Sequence, residues 1–515
     1  MYDYVIVGAG STGCVLAARL SEDPDVKVAL LEAGPPDDAE EIHIPAAFSQ
    51  LFRTRYDWDY DTAEEPHLGG RRLYLPRGKV LGGTSSTNAM LYVRGTKIDY
   101  DGWNQPGWSF DEVLPYFKKS EDNERGASEY HGEGGPLSVS DNRSHNPSSV
   151  ALVEAAVQAG YKANDDFNGA ELDGFGEFQL TQRDGRRWST AAAFLRPALG
   201  RPNLTVLTEF RAHKVIIENG RAVGVTGQQG DDAPIDIRAE REVILSAGAY
   251  NSPQLLQLSG IGPSCLLSAF GIPVVADSPQ VGQNLSDHAL VPLVSVHSQP
   301  ISMTAAATPE NFRLFMEEQR GPLTGNGPEA GGYFRTLPDL PAPDAAIFAA
   351  PVMFVESGLA FPYEHAISLG PVLITPESRG NITLQSTNPT AKPRILNNFF
   401  AEESDLETGV RALRVSLEIA KQEALRPFHE SFYQLPASES DDDLKAYLRR
   451  YTHSIFHPAG TCAIGEVVDA ELRVQGVDGL RVADCSVMPV VGRGNPNASA
   501  IMIGEKAADL IKEAS

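Results

Sequence analysis

The chain opens with a short apolar run, a glycine-rich turn and two further apolar runs. Residues 4–7 form the first run, the glycines are Gly8, Gly10 and Gly13, and the last run closes on Glu32. This order predicts a strand, a helix and a strand, the unit that binds dinucleotides. Gly8 permits a tight turn, Gly10 lets the backbone approach a pyrophosphate, and Gly13 lets helix and strand pack closely. Glu32, about 20 residues beyond the glycines, is placed to accept hydrogen bonds from the adenosine ribose.

Apolar residues at helical spacing and short β-branched runs predict the next elements. Residues 149–160 have helical spacing and end on a glycine, the usual stop signal. Asn219 and Gly220 separate two β-branched runs, which predicts a hairpin. A helix is predicted over residues 252–260, with Pro253 in its first turn. The predicted strands of this region cover residues 204–207, 214–217, 222–226 and 242–249.

Between about residue 291 and residue 451 the sequence pattern changes to separated strands followed by a helix, which predicts a second domain. The separated strands and the helix expected there cover residues 345–348, 382–385 and about 404–424. The carboxyl-terminal segment resembles the first part of the chain again, with a strand predicted at residues 480–484 and a helix with periodic apolar residues at 498–514. We therefore predict a discontinuous nucleotide-binding domain, with a substrate domain inserted before its final strand and helix.

Composition narrows the classes of protein. The 515 residues include 43 Lys plus Arg and 68 Asp plus Glu, a net charge of −25, which disfavours nucleic acid or an anionic membrane as a partner. The first predicted strand leaves no room for a secretion signal, and no apolar stretch is long enough to cross a bilayer. The four cysteines are scattered without CxxC spacing, so we predict a cytoplasmic protein with reduced thiols.

A second glycine loop, defined here as residues 77–90, is rich in glycine and hydroxyl residues and leads into an apolar segment. Its small residues suit close contact with a flat or phosphorylated ligand. The stretch from residue 35 to about residue 73 is irregular and rich in Pro, Gly and aromatic residues. Such length without periodicity predicts a lid or an excursion that covers a ligand.

The carboxyl-terminal segment carries the candidate chemistry. His457 is followed, 38 residues later, by Asn495, with Asn497 close by at the start of the last predicted helix. A histidine is the natural general base near neutral pH, and an adjacent amide can hold a substrate hydroxyl without competing for the proton. If a flavin lies before the helix that begins near Asn497, the helix dipole stabilises the negative charge of the reduced ring.

Other interpretations of His457 have less support or stay open. A histidine considered alone is more often a hydrogen-bonded structural residue than a catalytic one. No metal site is predicted, because Pro458 disfavours the helix that would bring His453 and His457 together and no third ligand lies nearby. A serine hydrolase triad is not predicted either, because no GxSxG sequence stands between a strand and a helix.

Four separated motifs resemble the glucose-methanol-choline (GMC) oxidoreductases, FAD-dependent enzymes that oxidise alcohols. The resemblance covers nearly the whole chain, and four motifs in the family's order are far more specific than one glycine turn. The motifs are residues 7–13 with 31–34, residues 78–88, residues 248–262, and His457 with Asn495 and the intervening residues 481–484.

The resemblance implies an α/β fold, in which a Rossmann-like FAD-binding domain carries an inserted α+β substrate domain built on an antiparallel sheet. The FAD-binding domain would comprise residues 1–145, 190–295 and 452–515. The substrate-binding domain would comprise residues 146–189 and 296–451.

The resemblance also implies an extended FAD, with its adenine end on the first glycine turn and its isoalloxazine ring against residues 88–90. His457 would take the hydroxyl proton while hydride passes to flavin N5, and Asn495, or failing that Asn497, would fix the substrate oxygen. Asp484 would lie near the ribityl chain and pyrophosphate. The implied cofactor-binding residues are Gly8, Gly10, Thr12, Gly13, Glu32, Ala33, Gly83, Thr84, Asn88, Ala89, Met90, Val215, Asp484 and Asn497.

Two positions bear on how FAD is attached and on which substrate is bound. Thr87 stands where some oxidases carry the histidine that is joined covalently to the flavin, so we expect FAD to be bound non-covalently. Glu329 resembles the acid that faces the ammonium group of choline in choline oxidisers. The same local pattern occurs in members with uncharged substrates, and a structural salt bridge is the other interpretation of Glu329.

We therefore predict an FAD-dependent enzyme that oxidises a small alcohol to an aldehyde or ketone, with oxygen or another electron acceptor reoxidising the flavin. A redox-silent flavoprotein similar to hydroxynitrile lyases and a non-catalytic flavin-binding protein are alternatives, although intact His457 and Asn495 disfavour the second. An NAD-dependent dehydrogenase is a third, disfavoured because the second glycine loop and the carboxyl-terminal segment have no role in a plain nicotinamide site.

Overall fold

The computed structural model describes residues 1–360 and 365–514. In this part of the chain, a parallel sheet of five strands forms the centre of the first domain. The Val, Ile and Leu runs of these strands are buried, as expected for a parallel sheet covered on both faces. The strand order is Leu204–Leu207, Val28–Leu31, Tyr2–Val7, Ile235–Leu245 and Leu480–Val482. The α/β class and the return of the tail to the first domain are confirmed.

A hairpin of Phe210–Glu218 and Arg221–Gln229 extends this sheet on one side. Its turn has positive φ at Asn219 (51°) and Gly220 (80°), the conformation that an Asn-Gly pair favours between two strands. The long strand Ile235–Leu245 pairs with the hairpin through its first half and with the parallel sheet through its second half. The predicted hairpin is therefore confirmed, and its strands are longer than the β-branched runs alone.

The first helix, Ser11–Leu20, packs against the last helix, Pro496–Glu513, so the two ends of the chain meet. A Cβ atom at Gly504 would lie 2.9 Å from Cβ of Val15, which shows how closely the helices approach. The Thr12 hydroxyl donates to the carbonyl of Ala500 across the same contact (2.8 Å). The amino ends of both helices are thereby brought side by side.

The helix predicted over residues 252–260 begins earlier, at Gly248, and ends at Leu258. Pro253 is therefore inside the helix, where it cannot donate a hydrogen bond to the carbonyl of Ala249. The Thr461 hydroxyl donates to that carbonyl instead (2.7 Å). A side chain far along the chain thus satisfies the acceptor that the proline leaves free, and the helix continues through it.

A sheet of eight antiparallel strands, counted within the described residues, forms the second domain. The main path runs Ser431–Phe432, Leu293–His297, His365–Leu373, Ala345–Ala350, Ala330–Phe334 and Gly174–Glu177, and Ala289–Leu290 joins it with His453–Ser454. The helices Pro147–Gln158 and Glu403–Ala420 pack on this sheet and bury its apolar face. The antiparallel sheet that the resemblance implied for the second domain is confirmed.

Two predicted domain boundaries fall inside or beside strands of this sheet. The boundary at residues 295/296 divides the strand Leu293–His297. The boundary at 451/452 assigns His453–Ser454 to the first domain, although this strand belongs to the second sheet through its pairing with Ala289–Leu290. A boundary inside a paired strand would split a hydrogen-bonded ladder, so we propose boundaries at 288/289 and 454/455. The other predicted boundaries stay predictions.

Shorter elements connect the two sheets. The further helices are Glu40–His43, Lys97–Asp101, Phe110–Ser120, Arg196–Ala198, Ser264–Ala269, Pro309–Glu318 and Asp441–Tyr451. The two-stranded ladders pair Tyr60–Asp61 with Tyr74–Leu75, Glu121–Asn123 with Leu137–Val139, Gln182–Arg183 with Arg186–Arg187, Ile261–Gly262 with Ala276–Asp277, and Asn381–Thr383 with Arg394–Leu396. Across residues 1–360 and 365–514, no helix combines the length and the apolar character needed to span a bilayer.

Candidate functional site

A cavity of about 980 Å³ has walls from both domains and reaches from the first glycine turn to His457. This volume is near the upper end of the roughly 300–1,000 Å³ that ligand sites occupy. Most of the predicted site residues lie on its wall: Gly8, Gly10, Thr12, Glu32, Ala33, Gly83, Thr84, Asn88, Ala89, Met90, His457, Asp484, Asn495 and Asn497. Gly13, Val215 and Glu329 do not line it.

The first glycine turn has the shape predicted for it. Gly8 has a φ of +100°, and an added Cβ would lie 2.5 Å from the carbonyl oxygen of Ser246. A Cβ at Gly13 would lie 1.9 Å from the carbonyl oxygen of Gly8. At Gly10, by contrast, the nearest atom to an added Cβ is 3.9 Å away. Gly8 and Gly13 are therefore required by packing within the protein, whereas Gly10 leaves open space on the cavity wall.

The Glu32 carboxylate is buried on the cavity wall behind this turn. It accepts hydrogen bonds from the backbone amides of Ala9 (2.9 Å) and Gly34 (2.8 Å). Burial raises the pKa of Glu32 to about 7, although these amides favour the charged form. A buried carboxylate of this kind gains stability from further hydrogen-bond donors, such as the two hydroxyls of a ribose.

Two helix amino ends converge on the cavity. The Ser11 hydroxyl donates to Oδ1 of Asn497 (2.6 Å), which joins the start of the first helix to the start of the last. Beside them, buried Asp484 accepts from the amide of Gly248 (2.9 Å) and the hydroxyl of Ser252 (2.6 Å). Unpaired N–H groups and positive dipole ends at one place make a favourable environment for phosphate.

The second glycine loop lies against the first glycine turn. A Cβ at Gly83 would lie 2.7 Å from Cα of Gly10, so the two turns touch through their backbones. The Thr84 hydroxyl accepts from the amide of Gly78 (3.2 Å) and closes the loop. Met90, at the end of the loop, has a left-handed φ of 60° and is buried. The loop therefore presents a close-packed backbone surface to the cavity.

His457 and Asn495 meet at the other end of the cavity. Nδ2 of Asn495 is 3.2 Å from Nε2 of His457, and Oδ1 of Asn495 is buried without a partner among the described residues. Asn495 immediately precedes the last helix, and its backbone amide donates to the carbonyl of Val93 (2.9 Å). The pair predicted from the sequence is thus assembled, with polar groups available to a ligand.

His288, which sequence reasoning missed, lies directly behind His457. The two Nδ1 atoms are 2.9 Å apart, so one ring donates to the other. If Nδ1 of His457 carries the proton, its Nε2 is a free acceptor for the Asn495 amide, and both contacts are satisfied. The adjacent Asp287 accepts from the backbone amides of both histidines (2.8 Å each) and fixes their relative position.

Burial keeps both histidine rings neutral. It lowers the pKa of His457 well below its usual value, and the nearby His288 and Arg77 lower it further. Burial also lowers the pKa of His288 to about 3. The neighbouring Asp287 has its pKa raised to about 6, chiefly by burial. At neutral pH the ring of His457 is therefore neutral, and in the tautomer that carries its proton on Nδ1 the Nε2 atom can accept a proton, as a general base must.

Apolar and aromatic residues form the wall beside His457, which we call the substrate chamber. Ring contacts run from Phe48 to Phe52 (6.0 Å) and from Phe52 to Phe456 (6.4 Å), and Phe354 and Met353 complete this wall. Phe48 and Phe52 come from the irregular stretch that was predicted to cover a ligand. Among the described residues on the cavity wall, Glu32 and Asp484 are the acids, and both lie at the nucleotide end.

Two of the predicted ligand contacts do not lie on the cavity wall. The amide of Val215 donates to the hydroxyl of Ser259 (2.8 Å), and Ala212 of the same strand lies on the cavity wall instead. Side chains of a regular strand point alternately to its two faces, and a β-bulge between Ala212 and Lys214 interrupts this alternation. The residues that face the cavity therefore differ from those of a regular strand. We therefore replace Val215 with Ala212 as the candidate contact.

Glu329 is also directed away from the cavity. Its carboxylate accepts from the amide of Asn146 (3.1 Å), and hydrogen bonds from Ser144 and Asn142 favour its charged form. Burial nevertheless raises the pKa of Glu329. The acid therefore fixes the loop at residues 142–146 through hydrogen bonds, and the salt bridge considered as its structural role is not the interaction found.

Comparison with protein-family models gives two matches, both described as GMC oxidoreductase. The amino-terminal model matches residues 2–290 and the carboxyl-terminal model matches residues 376–504. Human mitochondrial choline dehydrogenase is 43% identical over 99% of this chain and 90% of its own length. An uncharacterised GMC-type oxidoreductase of Mycobacterium tuberculosis is 44% identical over 99% of both chains.

Solved structures agree with these matches. Pyridoxine 4-oxidase from Mesorbium loti superimposes with a TM-score of 0.91 at 32% identity over 99% of both chains. A variant of formate oxidase from Aspergillus oryzae has a TM-score of 0.93 at 30% identity, covering 100% of this chain and 98% of the other.

Proposed function

Because the chain belongs to the GMC oxidoreductase family, we propose that this FAD-dependent oxidoreductase oxidises a neutral primary alcohol that carries an aromatic or other apolar group. The product would be the aldehyde. The observation that carries the proposal is the neutral His457, paired with Asn495, on the wall of a cavity that also contains the dinucleotide turn. The apolar substrate chamber beside this pair supports the choice of alcohol.

The cavity fits FAD in several independent respects. Its walls extend from the Glu32 carboxylate to His457, which suits an extended dinucleotide with space left for a small substrate. The open space at Gly10 and the converging helix ends are suited to a pyrophosphate. Thr87 lies on the wall, and its hydroxyl does not form the covalent link that a histidine forms at this place in some relatives. We infer that FAD is held by these contacts without a covalent bond.

The side chains then have distinct roles in the reaction. Nε2 of His457 takes the proton of the substrate hydroxyl, and the Nδ2 amide of Asn495 donates to the substrate oxygen while that proton leaves. Nδ1 of His457 stays protonated and donates to His288, which holds the ring in the required tautomer. FAD, when bound, supplies the acceptor for the hydride from the carbinol carbon.

The depressed pKa of His457 predicts a flat pH profile. A base whose folded-state pKa is lowered stays neutral as the pH falls, so the limiting rate of flavin reduction should change less than about twofold between pH 8 and pH 6. A histidine with its usual pKa of about 6.5 would be roughly three-quarters protonated at pH 6 and would slow the step about fourfold. Anaerobic stopped-flow reduction at saturating alcohol measures this, and a midpoint near pH 6.5 would contradict the assignment.

The substrate chamber determines which alcohol we expect. It provides aromatic and aliphatic surface but no carboxylate among its described residues, and Glu329 is held away from it. A neutral apolar group gains from burial there, at about 25 cal/mol for each Å² removed from water. Relatives named choline dehydrogenase make choline the second candidate, since aromatic rings also attract a quaternary ammonium group.

A panel of alcohols tests the proposed function. We expect benzyl and medium-chain aliphatic alcohols to bleach the flavin without oxygen, with a kcat/KM at least about tenfold above that of choline, because no carboxylate among the described residues of the chamber compensates the buried ammonium charge. Glu329→Gln should leave the ratio of the two kcat/KM values within about twofold of wild type. A flavin that no alcohol reduces would refute the proposed reaction, and preferred reduction by choline would refute the proposed substrate class.

A further inference from the structure

Arg187 is a buried guanidinium directly beneath the second glycine loop. It is 2% exposed, and it ends a short strand, Arg186–Arg187. Its Nε donates to the carbonyl of Ile42 (2.7 Å), and its Nη1 donates to the carbonyl of Ser85 (3.1 Å) and to Oδ1 of Asn88 (2.9 Å). Its Nη2 is buried with no hydrogen-bond partner among the described residues.

The positive charge of Arg187 has no carboxylate partner within the described chain. Burial lowers its pKa to about 9, with no opposing charge to restore it. Other fully buried arginines are paired: Arg94 lies 2.5 Å from Glu121, and Arg481 lies 2.6 Å from Glu242. An uncompensated buried charge is costly. Its presence therefore indicates that something beyond the protein's own side chains compensates it.

Arg187 also determines how Asn88 faces the cavity. Oδ1 of Asn88 accepts from Arg187 and from the backbone amide of Met90 (3.0 Å), and both partners are donors. Only the oxygen of the amide can occupy that position. Because Asn88 is on the cavity wall, its N–H groups are left for a ligand.

We propose that Arg187 is a positioning residue for the isoalloxazine ring, which acts through Asn88 and places a positive charge behind the ring. A ring that gains two electrons gains negative charge, so a fixed cation nearby favours the reduced form over the oxidised form. Asn88 would donate its N–H groups to the ring edge, held in that orientation by Arg187. The inference rests on the proposed placement of the ring against residues 88–90.

The two-electron potential of the bound flavin tests this role without any alcohol. In the FAD-loaded enzyme, Arg187→Met should reduce the preference for reduced over oxidised flavin at least about tenfold, which lowers the potential by about 30 mV. Arg187→Lys retains the charge and should lie within about threefold of wild type. Equilibration with a reference dye under anaerobic conditions measures all three proteins.

Arg186→Met is the matched control, because it removes the same charge from the neighbouring residue, which is only partly buried and paired with Glu40. We expect it to stay within twofold of wild type. If Arg187→Met fails to fold or to hold FAD, Arg187→Gln replaces it, since a neutral amide can still donate to one of the carbonyls.

A neutral variant of Arg187 that holds FAD and keeps the wild-type potential would overturn the proposal and leave Arg187 a structural residue. A potential lowered equally by Arg186→Met would also overturn it, because the effect would then be one of overall charge. Failure of every alcohol to reduce the wild-type flavin would refute the proposed function alone, since the potential is measured with a dye.

Discussion

Replacing His457 with alanine should slow reduction of the bound flavin by an alcohol by about 10²- to 10⁴-fold, the usual contribution of a positioned base. The structure gives the reason, because Nε2 of His457 is the unprotonated acceptor that faces the cavity beside Asn495. FAD should remain bound at one per chain, since the glycine turn and Glu32 lie at the opposite end of the cavity. Anaerobic stopped-flow absorbance of the flavin, normalised to bound FAD, measures the loss.

His453→Ala separates this chemical effect from a packing effect. His453 is also a buried histidine, but it lies in the strand His453–Ser454 and not on the cavity wall. Its removal should lower the melting temperature and leave the reduction rate within about threefold of wild type. Equal slowing by both variants, or an unchanged rate in His457→Ala, would contradict the catalytic role of His457. His457 would then have the structural role that the sequence alone left open.

His288→Asn should give an intermediate result that tests the tautomer assignment. An asparagine in place of His288 can accept from Nδ1 of His457 through its carbonyl, so catalysis should survive in part, whereas His288→Leu offers no acceptor. We therefore expect the leucine variant to be slower than the asparagine variant by about tenfold, which is less than the 10²- to 10⁴-fold contribution of the positioned base itself. Equal rates would show that His288 does not orient the base.

The parts of the fold that could be predicted from the sequence are those determined by local patterns. The first strand, the helix behind Gly8 to Gly13 and the strand before Glu32 follow from the runs and glycines themselves. The hairpin at Asn219-Gly220 follows in the same way, because only a few residue pairs adopt positive φ at both positions of such a turn.

The features that the sequence did not predict depend on residues distant in the sequence. The helix begins early, at Gly248, because the amide of Gly248 donates to Asp484, 236 residues away. The helix continues through Pro253 because the Thr461 hydroxyl donates to the carbonyl that the proline leaves without a partner. His288 lies behind His457 although 169 residues separate the two histidines in the sequence. No property of the local sequence distinguishes these partners from other polar residues.

The two predicted contacts that do not line the cavity also depend on non-local structure. Val215 has the residue type and strand position expected of a contact, but the bulge beside Ala212 changes which residues face the cavity. Glu329 has the residue type and local sequence of an acid that contacts substrate, but its carboxylate is hydrogen-bonded by Asn146, which is distant from it in the sequence. Residue type indicates what a side chain can do, and only its neighbours determine whether it does so.

Substitutions at two glycines of the first turn should separate folding from cofactor binding. Gly13→Ala puts a Cβ 1.9 Å from the carbonyl oxygen of Gly8, and no rotation relieves a backbone clash. We expect it to destabilise the FAD-free protein by about 1–3 kcal/mol or more, the usual cost of overpacking. Gly10→Ala meets its nearest atom at 3.9 Å with φ at −78°, so the FAD-free protein should melt as wild type does.

Gly10→Ala should nevertheless weaken FAD binding about 100-fold, or roughly 2.7 kcal/mol, because its new methyl group occupies the space that a pyrophosphate needs. Melting curves with and without FAD, together with flavin titration, measure both effects. Gly200→Ala, where an added Cβ meets no atom within 4 Å, is the control for a glycine substitution as such. Wild-type FAD affinity in Gly10→Ala would place the pyrophosphate elsewhere, because a methyl group and a phosphate cannot share the space beside that backbone.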